Sequence, residues 1–177
     1  MKINKTVFNY TEDDLHRANL QLYLSSKLKS FPNISLEVKS NLLIQKTEYI
    51  KRKLLPNSKR KINNLLELLN HDIILMHSYN YVHGDILTKN LVYDGNIFRL
   101  IDHELRLVDK EIFNVTFPWV SIGDLKLNLI SKKTDEICFK ATKLKLLDKE
   151  QYINFRLQCI EKLNGNNVNY CIKKINY

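Results

Sequence analysis

The chain has 177 residues, 44% of them apolar, enough for one domain with a buried core and too many for a disordered segment. Its 28 Lys and Arg against 19 Asp and Glu leave a net charge of +9, which suits a polyanionic neighbour (nucleic acid, an acidic membrane face or a phosphorylated ligand) and equally a plain enrichment in Lys and Asn. Cys138, Cys159 and Cys171 have no CxxC spacing, which argues against a disulfide framework or a thiolate zinc site, and neither a signal-peptide pattern nor an apolar run of about 18 residues occurs. The expectation is a soluble intracellular, cytoplasmic protein.

Residues 11–29 read as a helix, with Thr11 as cap, acids at Glu12, Asp13 and Asp14, and Leu15, Ala18, Leu22 and Leu28 near one face. Pro32 ends it. Residues 34–40 alternate apolar and polar side chains as a strand does, and residues 41–50 supply a second strand of a hairpin. A connector follows in which Lys51-Arg52-Lys53 and Lys59-Arg60-Lys61 flank the break at Pro56-Asn57. It reads as a solvated loop or as a site for an acidic partner. The clearest helix spans residues 61–79, where Ile62, Leu65, Leu66, Leu69, Ile73 and Met76 recur at three-and-four spacing. His71 and His77 lie six apart on it, which is not a metal-binding spacing.

Two short strands, 90–93 and 97–101, then flank the turn residues Asp94-Gly95-Asn96. Further helices are expected over residues 131–147 and 151–163. Glycine is scarce and none precedes Gly84, which excludes a glycine-rich phosphate loop and a dinucleotide fingerprint from the N-terminal half. The aromatic residues do not interleave with basic ones as in an RNA-binding sheet, so nucleic acid as a partner rests on net charge alone.

The residues that carry chemistry lie in the middle of the chain. Asp85 follows the long helix, Asn90 opens the hairpin five residues later, and Asp102 closes it. A loop–hairpin–loop can bring its ends together, so these three can converge. Two carboxylates and an amide oxygen are hard ligands suited to Mg²⁺, and a carboxylate outside the metal shell can orient a hydroxyl nucleophile.

The string His83-Gly84-Asp85-Ile86-Leu87-Thr88-Lys89-Asn90 resembles the catalytic loop H-[RG]-D-x-x-x-x-N of the protein-kinase-like superfamily. Leu100-Ile101-Asp102-His103-Glu104 resembles its metal-binding motif. The His-Gly-Asp form is similar to that of lipopolysaccharide, aminoglycoside and choline kinases and of small atypical protein kinases.

The resemblance implies an α+β, two-lobed fold, with residues 1–50 as a reduced N-lobe lacking the glycine-rich loop and residues 51–177 as a truncated, mainly helical C-lobe. It implies ATP and Mg²⁺ as cofactors and transfer of the γ-phosphate to a hydroxyl. Asp85 would be the catalytic base, with Lys89 beside it standing in for the Lys that protein kinases carry at position 87. Asn90 and Asp102 would hold metal, His83 would brace the loop and Asp135 would anchor its backbone. Ile44, Gln45 and Lys46 would form the adenine-facing hinge, within residues 43–47, and Lys5 or Lys2 would meet the phosphates. Residues 116–121 resemble the end of an activation segment.

Several departures bear on activity. Besides the missing glycines, the regulatory helix offers Gln21 or Leu22 where its Glu is expected, and Gly123 stands where protein kinases carry an acid. The same residues therefore imply either an atypical kinase for a protein, sugar or lipid-headgroup hydroxyl, or a pseudokinase scaffold that binds a protein partner.

Overall fold

The computed structural model describes residues 3–40, 42–102, 106–107 and 131–162. The first unit is a three-stranded antiparallel sheet with one helix. Strand β1 (Ile3–Asn9) leads through Tyr10 to helix α1 (Glu12–Lys27), followed by β2 (Ile34–Lys39) and β3 (Leu42–Glu48). The spatial order is β1-β3-β2, with Thr6 opposite Gln45 and Leu36 opposite Gln45 on the other side. Thr11 starts α1 by a reciprocal cap: its hydroxyl accepts the Asp14 N–H at 3.2 Å while Asp14 accepts the Thr11 N–H at 2.9 Å. The Thr11 N–H and, at 2.8 Å, the Thr11 hydroxyl donate to the Asp14 carboxylate and hold it below its ordinary range.

The second unit is mainly helical. Helix α2 (Lys59–Ser78) turns Ile62, Leu65, Leu66, Leu69, Ile73 and Met76 inward, as the three-and-four spacing predicts. It packs against helix α3 (Lys132–Leu147), which in turn packs against α4 (Lys149–Lys162). Between α2 and α3 in sequence lie β4 (Tyr81–Val82), the hairpin β5 (Leu91–Tyr93) and β6 (Phe98–Leu100), and β7 (Arg106–Leu107), which pairs with β4. Cys138 and Cys159 are buried free thiols, and burial pushes the Cys138 thiol up.

The core runs through both units. Leu24 of α1, with Leu28 and Phe31 just past its end, joins Leu66, Leu69 and Met76 of α2 and Phe98 and Leu100 of β6 in one cluster. Polar ties reinforce this seam. The Ser30 N–H donates to Asp72 at 2.7 Å and the Leu100 N–H to the Ser30 carbonyl at 2.7 Å. Arg99 donates to the Phe31 carbonyl at 2.8 Å and to Glu48 at the end of β3 at 3.1 Å. The sheet is therefore held in a set position over the hairpin, with the space between them defined.

Candidate active site

The loop after α2 takes its shape from both neighbouring helices. Asn80, at φ 63°, adopts the left-handed conformation that often terminates a helix, which turns the chain into β4. Gly84 follows at φ 79°, where a side chain would be strained. Its N–H donates to Asp135 Oδ1 at 2.8 Å, and the His83 N–H donates to Asp135 Oδ2 at 2.8 Å. Asp135 is 0% exposed in the first turn of α3, and His77 Nε2 reaches its Oδ2 at 2.9 Å. Three donors satisfy a carboxylate that would otherwise be costly to bury. Two turns further along α3, the Thr142 hydroxyl donates to the Ile86 carbonyl at 2.8 Å. One helix thus fixes the loop on either side of Asp85.

His83 links the loop to the hairpin. Its Nδ1 accepts the Asp85 N–H at 3.2 Å, which leaves Nε2 to donate to the Ile101 carbonyl at 3.2 Å. This pattern needs the neutral ring. Burial pushes the His83 pKa down, against the pull of Asp135, the Ile101 carbonyl, Asp85 and Asp102.

The side chains of Asp85, Lys89 and Asn90 converge. Lys89 Nζ lies 2.8 Å from Asp85 Oδ2, and Asn90 Nδ2 donates to the same oxygen at 2.9 Å and to the Asp85 carbonyl at 3.0 Å. The amide nitrogen of Asn90 is thus committed to Asp85, and its Oδ1 points elsewhere. The Ile101 N–H donates to the Asn90 carbonyl at 2.9 Å, which brings Asp102, the next residue, to the same wall. Asp102 is exposed and sits at φ 64°, a conformation uncommon for a residue with a side chain. A cleft of about 460 Å³ opens there. Ile34, Gln45 and Thr47 of the sheet line one side, and Asn90, Ile101 and Asp102 line the other. Its size is that of a small-molecule site.

No family model matches the chain, and no curated protein matches it. Among solved structures, the kinase PK-1 of Cydia pomonella granulovirus superposes with a TM-score of 0.65 over 82% of this chain, at 13% identity. The fold is kinase-like. The chain spans 61% of the length of that viral kinase.

Within this kinase-like fold, one set of expected residues falls elsewhere. Ile44, Gln45 and Lys46 are not a connector. They form the middle of the central strand, with partners in both β1 and β2, so ladder bonds use their backbone groups. The apolar run Leu42-Leu43-Ile44, within the strand expected over residues 41–50, was the better signal. Of the three, Gln45 lines the cleft, Ile44 is buried, and Lys46 pairs with Glu37 at 3.3 Å. Lys5 stands opposite Lys46 in the backbone register rather than opposite Gln45. Lys2, His103, Glu104, residues 116–121 and Gly123 lie outside the described residues.

Sequence reasoning missed three supporting groups. His77, whose spacing from His71 argues only against a metal site, is buried against Asp135. Its position four residues after Ile73, on the apolar stripe, was the available clue. Thr142, seven residues after Asp135, shares that residue's face of α3. Arg99 pairs locally with Asp94, but its ties to Phe31 and Glu48, which come from distant segments, carried no local signal.

Proposed function

We propose that the chain is an atypical phosphotransferase that moves the γ-phosphate of ATP to a hydroxyl of a protein or small-molecule acceptor. The observation that carries this reading is the convergence of Asp85, Lys89 and Asn90 in one loop, whose Asn90 lines, together with Asp102, one wall of a cleft of small-molecule size. Asn90 Oδ1 and the exposed Asp102 carboxylate are hard oxygen donors on that wall and fit Mg²⁺, which would neutralise phosphate charge when bound.

Asp85 accepts both of its side-chain bonds on Oδ2, so Oδ1 is the atom that receives an acceptor hydroxyl and orients its oxygen toward the phosphate. Lys89 keeps positive charge beside that carboxylate and the incoming phosphate. His83, held neutral, joins the Asp85 backbone to Ile101 and keeps the two walls in register. The adenine-facing backbone is assigned to residues 48–50, where the chain leaves β3 and lines the cleft.

The test is transfer of label from γ-labelled ATP to casein, to sugars and to inositol, with Mg²⁺ present. Asp85→Asn keeps the shape of the side chain and is expected to lower transfer by about 10²- to 10⁴-fold without shifting the melting temperature. Equal transfer by the variant rejects the assignment. A second reading, a weak or inactive pseudokinase that serves as a scaffold for a protein partner, is favoured by the lack of any glycine before Gly84. It predicts no transfer by the unaltered protein and partner binding that survives Asp102→Ala.

A further inference from the structure

The connector between β3 and α2 has a composition and a setting that neither the cleft nor the core explains. Residues 51–61 read Lys-Arg-Lys-Leu-Leu-Pro-Asn-Ser-Lys-Arg-Lys, with six cations and no acid, so this short stretch holds six of the nine net positive charges of the chain. Every one of the six is exposed, and none forms an ion pair among the described residues. By contrast Lys39, Lys46, Lys89, Lys133, Lys143 and Arg99 all have carboxylate partners. Between the two basic triplets Leu54 is 94% exposed and Leu55 is 42% exposed.

Local structure holds this arrangement outward. The Lys53 N–H donates to the Tyr93 carbonyl at 2.8 Å, and Arg52 donates to the Lys89 carbonyl at 3.4 Å. At the other end the Ser58 hydroxyl caps α2 by accepting the Lys61 N–H at 3.3 Å. Leu54 therefore lies between two pinned ends. Lys59, Arg60 and Lys61 occupy the first turn of α2, where no acidic residue is present and where positive side chains oppose the helix dipole. A nearby anionic surface offsets that unfavourable placement. Leu55 and Arg52 of the connector line a cavity of about 330 Å³ together with Lys89, Leu91 and Leu146.

We propose that residues 51–61 dock this protein on a membrane surface rich in anionic lipid, with the two basic triplets on the headgroups and Leu54 inserted among the acyl chains. A basic cluster alone would serve any polyanion. The fully exposed leucine at its centre is what favours a bilayer, because inserting it removes apolar surface from water while the flanking cations meet phosphate. The dock lies beside the loop that carries Asp85 and does not depend on whether that loop turns over a substrate.

The experiment is co-sedimentation of the full chain with phosphatidylcholine vesicles, pure or containing about 30% phosphatidylserine. Binding is expected only with the anionic vesicles and is expected to weaken steeply between about 0.1 M and about 0.5 M salt. Leu54→Asp, and separately the combined Lys51→Glu, Lys53→Glu, Lys59→Glu and Lys61→Glu, should each weaken binding about tenfold or more. Both variants should melt no lower than the parent, since the altered side chains are exposed and the acids at positions 59 and 61 suit a helix start. Arg52 is left intact because it holds the loop. No binding to anionic vesicles, or equal binding to neutral ones, overturns the proposal. So does binding to duplex DNA as tight as to vesicles, lost on charge reversal yet indifferent to Leu54→Asp.

Discussion

Asp135 and His83 show how much of the site depends on single buried groups. A carboxylate 0% exposed is tolerated because two backbone N–H groups and His77 converge on it. His83 is buried and neutral, and its pKa lies below the ordinary value of about 6.5. Above that value both folded and unfolded chains carry a neutral ring, so His83 adds no pH dependence. Below it the unfolded chain takes up the proton first, and stability falls as the pH drops. Urea unfolding measured from pH 7.5 downward should show this slope beginning near about pH 6.5, and His83→Gln should flatten that part of it. An unchanged slope in the variant would mean that His83 takes up its proton as readily in the folded as in the unfolded chain. Asp94 illustrates the opposite balance. Burial alone would raise its pKa, but the Ile97 and Asn96 N–H groups and Arg99 outweigh that and hold it low.

At the scale of elements, helix α2 is the main structural beam. Its inward stripe was legible because periodicity follows directly from helix geometry. The same geometry makes a sharp prediction for two neighbouring leucines. Leu66 is 0% exposed, and Leu66→Ala should cost about 2–5 kcal/mol. Leu68, two positions on, is 58% exposed, and Leu68→Ala should change stability by no more than about 0.5 kcal/mol. Equilibrium denaturation of both variants checks the rotational setting of the helix, and comparable losses would contradict it. Helix α1, β2, β3, the hairpin and α3 also match the expected elements within a few residues. The β4–β7 pairing was not foreseen, because strands of two residues carry no periodicity. Residues 43–47, expected as a hinge, instead lie inside strand β3, for which the apolar run Leu42-Leu43-Ile44 was the local signal.

For the whole molecule, the decisive feature is the seam between sheet and helical body. The cleft exists because Arg99, Glu48 and the shared core hold Gln45 and Thr47 over Asn90 and Asp102. If Mg²⁺–ATP fills it, ligand at about 100 times its dissociation constant adds about 2.7 kcal/mol. In a chain of this size that corresponds to a rise of roughly 5–11 °C in melting temperature. Asp102→Ala should abolish the metal-dependent part of the rise. A rise that persists in the variant would remove Asp102 from the metal site, and no rise in either protein would reject nucleotide binding. The experiment separates the two readings, since the enzyme requires the nucleotide and a scaffold for a protein partner does not.

What the sequence determined by itself was local and periodic: where the long helices lie, which of their faces turn inward, where the hairpin turns, and the spacing of Asp85, Asn90 and Asp102. Those properties depend on residues close in the chain, so they survive without knowledge of the fold. The tertiary structure alone decided that His77 joins the loop backbone on Asp135, that Arg99 ties the hairpin to β3, and that Gln45 rather than Lys46 lines the cleft. Each of these depends on the distance and orientation of segments far apart in sequence. No local spacing encodes them; they follow from how the shared core packs.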